Sequence, residues 1–476
     1  MARDYRRREP EKTVLYRVVQ NNLATFVARA GQRGRTIPWF VKRELESYLD
    51  CGILSRGFVR VACQSCRNEH LVALSCKGRG FCSSCGGRHM TASAAHLVDN
   101  VFPTRAPVRQ WVVSLPIRLR YLLAYDKELC ARAVTLFVRE ISRWYRWCAK
   151  AELGLDSVQE ARCGSVTVVQ RFDSALRLNL HFHTLALDGV YLRDEDGKPT
   201  FYALPEPTTE DVARVAGWVR DKLQALTGVR GFDADDEPQL DLLAEEEPLL
   251  AECSAASITG TVASGRRAGR SVVRVREPAL AGWRGDSPPE RCANVDGFSI
   301  HANVSVRAGD RKRLEKVARY ITRPPIASER LEELPDGRVQ YVLRRPWSDG
   351  TTAVIYEPLE LIDRLVALVP PPGFHRVRYH GVLAPAAPER PAVVPKKPSS
   401  SRTKRRKNYC WAELMKRAFD FDVLVCPRCS GRMRVLATIM EREAIRAILG
   451  ACGFPADSPP PAPVEPPPGK SAWDAA

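Results

Sequence analysis

No run of about 18 uncharged apolar residues occurs in the sequence, which excludes a membrane-spanning helix. The first residues, Met1 to Glu9, are rich in arginine and lack the apolar core of a secretory signal, so a cytoplasmic location is expected. Negative charge is in short supply: 55 Asp and Glu stand against 73 Lys and Arg, a formal net charge of +18 over 476 residues. That balance points to nucleic acid or another polyanion as partner, with a merely basic soluble protein as the alternative, since charge alone fixes no binding site. Histidine is scarce, at 8 residues, and no internal repeat is found. Cysteine is not scarce. In a reducing compartment its 15 residues bind metal or pack as small apolar side chains rather than form disulfides.

The length suits roughly two to four domains. Residues 1–100 read as a helical lead-in, with apolar spacing over Val14 to Ala30 and Pro38 to Leu49, followed by a cysteine-rich module. Residues 101–345 alternate strand-like and helical segments: Arg109 to Leu115, Leu122 to Ala151, Ser165 to Arg171, Phe298 to Val306 and Arg311 to Thr322. They predict an α+β domain built on a sheet with packed helices. The acidic stretch within it, 232–253, reads as a solvated insertion. Residues 346–408 read as a Pro-rich and basic linker region, 409–458 as a small C-terminal CxxC module, and 459–476 as a disordered tail.

Two histidines lie one residue apart, His181 and His183, in a segment whose leucines and aromatics alternate as in a half-buried strand. On a strand, residues i and i+2 share a face, so both imidazoles converge on one point and suit a divalent metal. Leu178, Leu180 and Phe182 would hold the opposite face in a core. A two-imidazole site is underligated; His301, on the strand-like Phe298 to Val306, is the candidate third ligand, with Asn303, Asp173, Asn179 and Asp188 as weaker ones. The segment Arg311 to Pro325 carries Leu314, Val317, Ala318 and Ile321 at helical spacing, with Tyr320 beside that stripe, one turn from Lys316 and flanked by Arg319 and Arg323. A tyrosine there is ordinarily a boundary residue. Its cationic neighbours would bind a phosphate and favour the phenolate that attack on a phosphodiester needs.

Cys63-Gln-Ser-Cys66 and Cys82-Ser-Ser-Cys85 have the spacing of a four-thiolate structural zinc site, with Cys76 or His70 able to replace one ligand or form part of a second site and Cys51 a weaker candidate. Arg79, Arg88 and His89 surround the module, where zinc could act by presenting cations to DNA. Cys426-Pro-Arg-Cys429 is half a site, which Cys410, Cys452 or a partner chain could complete. Lys404, Arg405, Arg406 and Lys407, in the basic run after the prolines, could neutralise phosphates.

These features, in this order, resemble the HUH-type rolling-circle transposases of the insertion-sequence-91 family. The likeness runs from about residue 10 to 440 and rests on Cys51-Gly52 through Ser75 to Cys85, Ser114 to Arg120, the His-Phe-His strand ending Leu187 to Tyr191, Ala318 to Pro325, Arg378 to Pro385 and Cys426 to Cys429. The resemblance implies an HUH-nuclease-like antiparallel sheet with a small N-terminal zinc-binding module and a small C-terminal cysteine module. It also implies an enzyme that nicks one DNA strand at the end of a mobile element, keeps the 5′ phosphate on tyrosine and frees a 3′ hydroxyl. Tyr320 matches the nucleophile, and His181 with His183 match the pair holding Mg²⁺ or Mn²⁺, with structural Zn²⁺ in the N-terminal module. The partner implied is DNA, single-stranded or as hairpin ends, with a second copy of the chain as a further candidate. Members with two tyrosines carry them four residues apart. Here Lys316 stands four before Tyr320, which makes the chain resemble a single-tyrosine variant. Asp173 stands where a small residue is usual. A replication initiator or relaxase would share the nuclease chemistry, whereas a zinc-dependent DNA-binding regulator would cleave nothing.

Overall fold

The computed structural model describes residues 8–228, 241–280, 290–395, 410–419, 422–458, 460 and 462–464. Helix α1 (Val14–Gln32) begins at Thr13, whose hydroxyl accepts from the Tyr16 amide, and buries Leu15, Val18, Val19 and Phe26 on one face. Helix α2 (Trp39–Asp50) buries Val41, Leu45 and Tyr48. Both lie where apolar periodicity predicts them. A hairpin of β1 (Phe58–Cys63) and β2 (Glu69–Ala73) follows, then helix α3 (Ser83–Asn100).

Strand β3 (Val108–Ser114) leads into α4 (Ile117–Tyr125) and α5 (Lys127–Leu153). The sequence suggests a single helix over Leu122 to Ala151. Two form because the Asp126 carboxylate accepts from the Glu128 and Leu129 amides and caps a new start. Strands β4 (Gly164–Phe172) and β5 (Leu178–Leu187) form a hairpin; β6 (Gly189–Arg193), β7 (Pro199–Ala203) and α6 (Thr209–Thr227) come next. After α7 (Leu242–Glu246), α8 (Pro248–Thr259), β8 (Val273–Arg276) and β9 (Cys292–Val295), strand β10 (Phe298–Val306) feeds helix α9 (Arg311–Ile321). The chain continues through β11 (Leu331–Glu333), β12 (Val339–Val342), β13 (Thr351–Tyr356), α10 (Pro358–Leu368), β14 (Val377–Gly381) and α11 (Arg390–Val393). Helix α12 (Trp411–Phe419), β15 (Met433–Ile439) and α13 (Arg442–Ala451) form its C-terminal arm.

The central sheet has six strands in the order β14-β4-β5-β3-β10-β9, and every neighbouring pair is antiparallel. The α+β class with an antiparallel sheet is as the sequence predicts. One face of the sheet buries Trp111, Val113, Val169, Leu180 and Phe182 under residues of α5 and α6 such as Phe137 and Val215. The other buries Val166, Val168, Leu185 and Leu187 against Leu97 and Val98 of α3 and Leu314, Ala318 and Ile321 of α9. By the two-residue period of β5, His181 and His183 emerge on this second face, beside α9.

Three boundaries need correction. Residues 346–395 are not linker: they form β13, the buried helix α10 and β14, the last paired to β4 in the central sheet. The prolines mislead because Pro358 sits in the first turn of α10 and Pro370 to Pro372 follow its end, which are ordinary helix-boundary positions. The CxxC segment does not stand apart either, since β15 pairs with β1 over Phe58 to Cys63 in the three-stranded sheet β15-β1-β2. Of the acidic stretch, Asp233, Asp235, Asp236 and Glu237 lie outside the described residues, but Leu249 and Leu250 of α8 are core residues rather than a solvated insertion. The basic residues Lys404, Arg405, Arg406 and Lys407 and most of the tail also lie outside the described residues. Among the described residues no helix is long and apolar enough to cross a membrane.

One buried ion pair ties the central sheet together. Arg109 on β3 donates from Nε to both oxygens of Asp188 at 3.1 and 3.0 Å and from Nη1 to the Ala302 carbonyl at 2.9 Å, while the Tyr145 hydroxyl donates to Asp188 at 2.8 Å. Arg109 Nη2 also pairs with Glu206 at 3.0 Å, so removing Asp188 leaves the buried guanidinium with that half-exposed carboxylate as its counter-charge. Asp188→Ala is therefore expected to cost about 3–5 kcal/mol of stability, read from a denaturant or thermal melt. A loss under about 1 kcal/mol would mean that Glu206 alone suffices to hold Arg109.

Candidate functional site

His181 and His183 project from β5 with ring centroids 4.8 Å apart. His181 Nδ1 lies 2.8 Å from the Asn179 carbonyl, which can only accept, so Nδ1 carries the proton and Nε2 keeps a lone pair. His183 Nδ1 lies 2.8 Å from Nε2 of the Gln110 side-chain amide, and the His183 Nε2 is buried with no partner among the described residues. The amide can turn either end toward Nδ1. With its oxygen accepting from Nδ1, the lone pair of His183 is left on Nε2. Burial pushes His181 down to about 4 and His183 well below the ordinary imidazole range, so both rings are neutral near pH 7.

Helix α9 brings its tyrosine to these rings. The rings of Tyr320 and His183 have centroids 6.0 Å apart and meet edge to face. Gln170, opposite His181 on β4, donates from Nε2 to the Ile321 carbonyl at 2.9 Å and the Tyr320 carbonyl at 3.4 Å, fixing the end of α9 to the histidine sheet. Its own oxygen, and that of the Asn179 amide, are buried without partners among the described residues. Buried acceptors normally have donors or a cation. Two neutral imidazoles beside orphaned amide oxygens therefore fit a divalent metal. The Tyr320 side chain is 44% exposed, and the Arg323 guanidinium lies over its ring at 4.4 Å.

Other sequence candidates go elsewhere. His301 shares the face of His183, but Val112 of β3 stands between them in register, and its Nε2 lies 3.1 Å from Cys292 Sγ; it is not brought to the histidine pair. Asp188 belongs to Arg109, and Asn303 accepts from Arg291. Asp173 shapes the β4–β5 turn: its Oδ1 accepts from the Ala175 and Arg177 amides and its Oδ2 pairs with Arg177 at 2.6 Å. That turn accounts for a carboxylate where a small residue would otherwise serve. Lys316 is exposed and forms no hydrogen bond or ion pair among the described residues. Arg319 turns away from Tyr320 and pairs with Glu315 at 2.7 Å.

The cysteines regroup. Cys63, Cys66, Cys82 and Cys85 do not form one site; the structure forms two sets, Cys51 with Cys76, Cys82 and Cys85, and Cys63 with Cys66, Cys426 and Cys429. In the first set Cys51 Sγ lies 3.7 Å from Cys85 and 3.6 Å from Cys82, and Cys76 lies 3.4 Å from Cys85. Sulfurs around zinc at about 2.3 Å are separated by about 3.8 Å, whereas a disulfide needs about 2.05 Å. The set fits zinc, and thiol hydrogen bonds from Cys76, Cys82 and Cys85 hold the Cys51 thiol far below its ordinary range. The spacing misleads because Cys63 and Cys66 end a hairpin whose third strand, β15, brings the matching CxxC from the C-terminal arm.

Zinc and tyrosine are mechanically joined. Cys82 and Cys85 lie at the start of α3, whose next residue, Gly86, faces Pro324: a Cβ on Gly86 would sit 2.5 Å from Pro324 Cβ. Ser83 Oγ lies 2.8 Å from Ser328 Oγ, and Arg311 donates to the Phe102 carbonyl at 3.1 Å. Around the same module, Arg79, Arg88 and the previously unsuspected Arg376 lie close enough to depress His89, whose lowered pKa comes first from burial and then from the cations. Arg79 and Arg88 are exposed, so this face is a cationic surface. Gln110 and Gln170 also escape a sequence reading, because nothing local marks a buried glutamine as facing a histidine on the next strand.

The Gly86–Pro324 contact is testable. Gly86→Ala is expected to lower stability by about 1–3 kcal/mol through overpacking, read from a thermal melt. An unchanged melting temperature would mean that α3 and α9 separate freely.

Searches of the curated proteins and of the solved structures return no match. Two family models do match. Residues 18–115 match the transposase zinc-binding domain of the IS91 type, and residues 164–391 match the family described as "Putative transposase". The first match spans the Cys51 cluster and the second both the histidine strand and the Tyr320 helix. The chain therefore belongs to the IS91-type transposases with an N-terminal zinc-binding domain, DNA-processing proteins that bind zinc and take DNA as partner.

Proposed function

We propose that the chain is a single-tyrosine HUH endonuclease and strand transferase acting in rolling-circle transposition. The observation that supports this most directly is the meeting of Tyr320 with His183 on the face of the sheet that also carries His181. The Tyr320 oxygen attacks the scissile phosphorus in line with the bond to the 3′ oxygen. That P–O bond breaks, the 5′ phosphate stays on Tyr320, the phenolic proton passes to solvent and the released 3′ oxygen takes one up. A divalent cation held by His181 and His183, Mg²⁺ or Mn²⁺, would supply the positive charge that polarises the scissile phosphate. Imidazole nitrogens favour Mn²⁺ of the two.

Gln110 would orient His183 by accepting from Nδ1 once its amide is turned to present the oxygen, and Gln170 holds the backbone of Tyr320 at the site. Arg323 over the tyrosine ring adds charge complementary to a phosphate. Rejoining reverses the first step: a 3′ hydroxyl attacks the phosphotyrosine, and no nucleotide triphosphate is required. The cationic surface of Arg79 and Arg88 near the zinc module, with the more buried Arg376 behind it, is the proposed track for the DNA, single-stranded or as hairpin ends of the element.

The test is end-labelled single-stranded DNA from the flanks of the gene, incubated with the protein and Mg²⁺ or Mn²⁺ and run on a denaturing gel. A metal-dependent covalent adduct is expected. Tyr320→Phe should bind the same DNA and cleave below about a thousandth of the wild-type rate. Binding without any adduct in the wild type would instead favour a DNA-binding regulator, and nicking confined to an origin sequence a replication initiator. In a separate measurement, His181→Ala with His183→Ala is expected to reduce metal-dependent nicking about 100- to 1,000-fold while the melting temperature holds. Undiminished nicking would remove the pair from the site.

A further inference from the structure

We propose that Cys63, Cys66, Cys426 and Cys429 hold a second zinc ion, and that this ion clasps the C-terminal arm, residues 410–458, onto the N-terminal hairpin and so braces α9 from its outer side. Cys426 and Cys429 fall outside both matched family spans. Cys63 Sγ lies 3.5 Å from Cys429 Sγ and Cys66 Sγ lies 3.6 Å from Cys426 Sγ, again the spacing of thiolates about one cation and too long for disulfides.

The two CxxC loops are built alike although more than half the sequence separates them. The Cys63 amide donates to the Asn68 carbonyl at 2.8 Å and the Arg67 amide to the Cys63 carbonyl at 3.1 Å; the Cys426 amide donates to the Gly431 carbonyl at 2.8 Å and the Ser430 amide to the Cys426 carbonyl at 2.9 Å. Arg67 and Ser430, each just after the second cysteine of its loop, both adopt left-handed backbone at φ 59° and 60°. Such strain in a residue with a side chain needs a compensating constraint, which a metal knuckle supplies. The loops also fit each other closely: a Cβ on Gly431 would sit 2.7 Å from Ser65 Oγ and 3.1 Å from Cys63 Sγ.

The β1–β15 ladder and the core of Leu54, Phe58, Leu71, Ile445 and Leu449 seat the strand and α13, but apolar packing at the CxxC loops themselves is sparse. The local cluster buries only Val61, Cys63, Cys426 and Met433, too few apolar side chains to fix a segment of this length. From this anchor the arm reaches the catalytic helix through Arg417 of α12, which pairs with Glu315 of α9 at 2.7 Å and with Asp99 of α3. The clasp thus completes a brace from the zinc hairpin, through α12, to the outer face of the Tyr320 helix. Its exposure also differs from that of the first cluster: Cys429 is exposed, whereas Cys51, Cys82 and Cys85 are buried. A chelator should remove the clasp ion first.

The experiment measures metal and arm retention and involves no DNA, so it stands apart from the nuclease reading. Zinc is counted by elemental mass spectrometry on the full chain, and on a version with a site-specific protease sequence inserted after Ser400. Two zinc ions per wild-type chain are expected, and one in Cys426→Ser with Cys429→Ser. After cleavage the arm should co-elute with the body in the wild type and separate from it in the double variant. The exposed single change Cys429→Ser serves should the double variant not fold, and Cys82→Ser should lose the other ion yet keep the arm. One zinc in the wild type, or two in the double variant, would overturn the site; an arm that stays bound after the clasp ion is lost would overturn the clasp.

Discussion

The arrangement depends on the seam where α3 meets the end of α9. Helix α3 starts at Cys82 and Cys85 and reaches Asn100, so whatever fixes those sulfurs also fixes a helix lying along α9, which carries Tyr320. Gly86 and Pro324 touch with no space for a methyl group, and Leu97 and Val98 share a core with Leu314, Ala318 and Ile321. Interiors packed to that density transmit displacement rather than absorb it. The zinc cluster is therefore part of the support of Tyr320 rather than a remote DNA-reading appendage, even though more than two hundred residues separate Cys85 from Tyr320.

The central sheet supplies the opposite wall. Its alternation puts Leu180 and Phe182 in the core under α5 and sends His181 and His183 to the α9 side, where burial keeps both imidazoles neutral and outweighs the charge of Asp173 on His181. Glutamines complete the shell: the Gln110 amide contacts Nδ1 of one ring and Gln170 ties the backbone of the tyrosine to the same sheet. Uncharged partners leave the rings as lone-pair donors.

What the sequence made legible was whatever repeats over short distances. The histidine strand, β10 and α9 were readable from periods of two and 3.6 residues, and the α+β class followed from their alternation. Long-range partnership was not. Cys63 and Cys82 looked like one site because their spacing matched a common zinc pattern, yet a strand from residues 433–439 inserts beside β1 and reassigns Cys63 and Cys66 to a remote pair. Spacing constrains which cysteines are near in the chain; it says nothing of which strand a hairpin will recruit. His301 failed likewise: it is on the strand and face expected of it, but β3 lies between β5 and β10, and no local pattern encodes strand order. The prolines around α10 misled for a third reason, since proline marks a helix boundary as readily as a linker.

Chain closure adds a constraint that neither zinc cluster gives alone. The three-stranded sheet is made of residues from both ends of the described chain, with β1 and β2 from the N-terminal part and β15 from the C-terminal arm. Everything between Cys66 and Cys426, including the whole central sheet, is thus a loop closed by that small sheet. Closing so long a loop costs entropy that grows only slowly with length, but it must be repaid at one place. Six antiparallel pairs on β1, the small core of Leu54, Phe58, Leu71, Ile445 and Leu449, and the Arg417 ion pairs together repay it. Because Arg417 reaches Glu315 only when the arm is seated, the ends of the chain and the tyrosine helix are mechanically linked, and the state of the closure bears on the helix at the centre of the site.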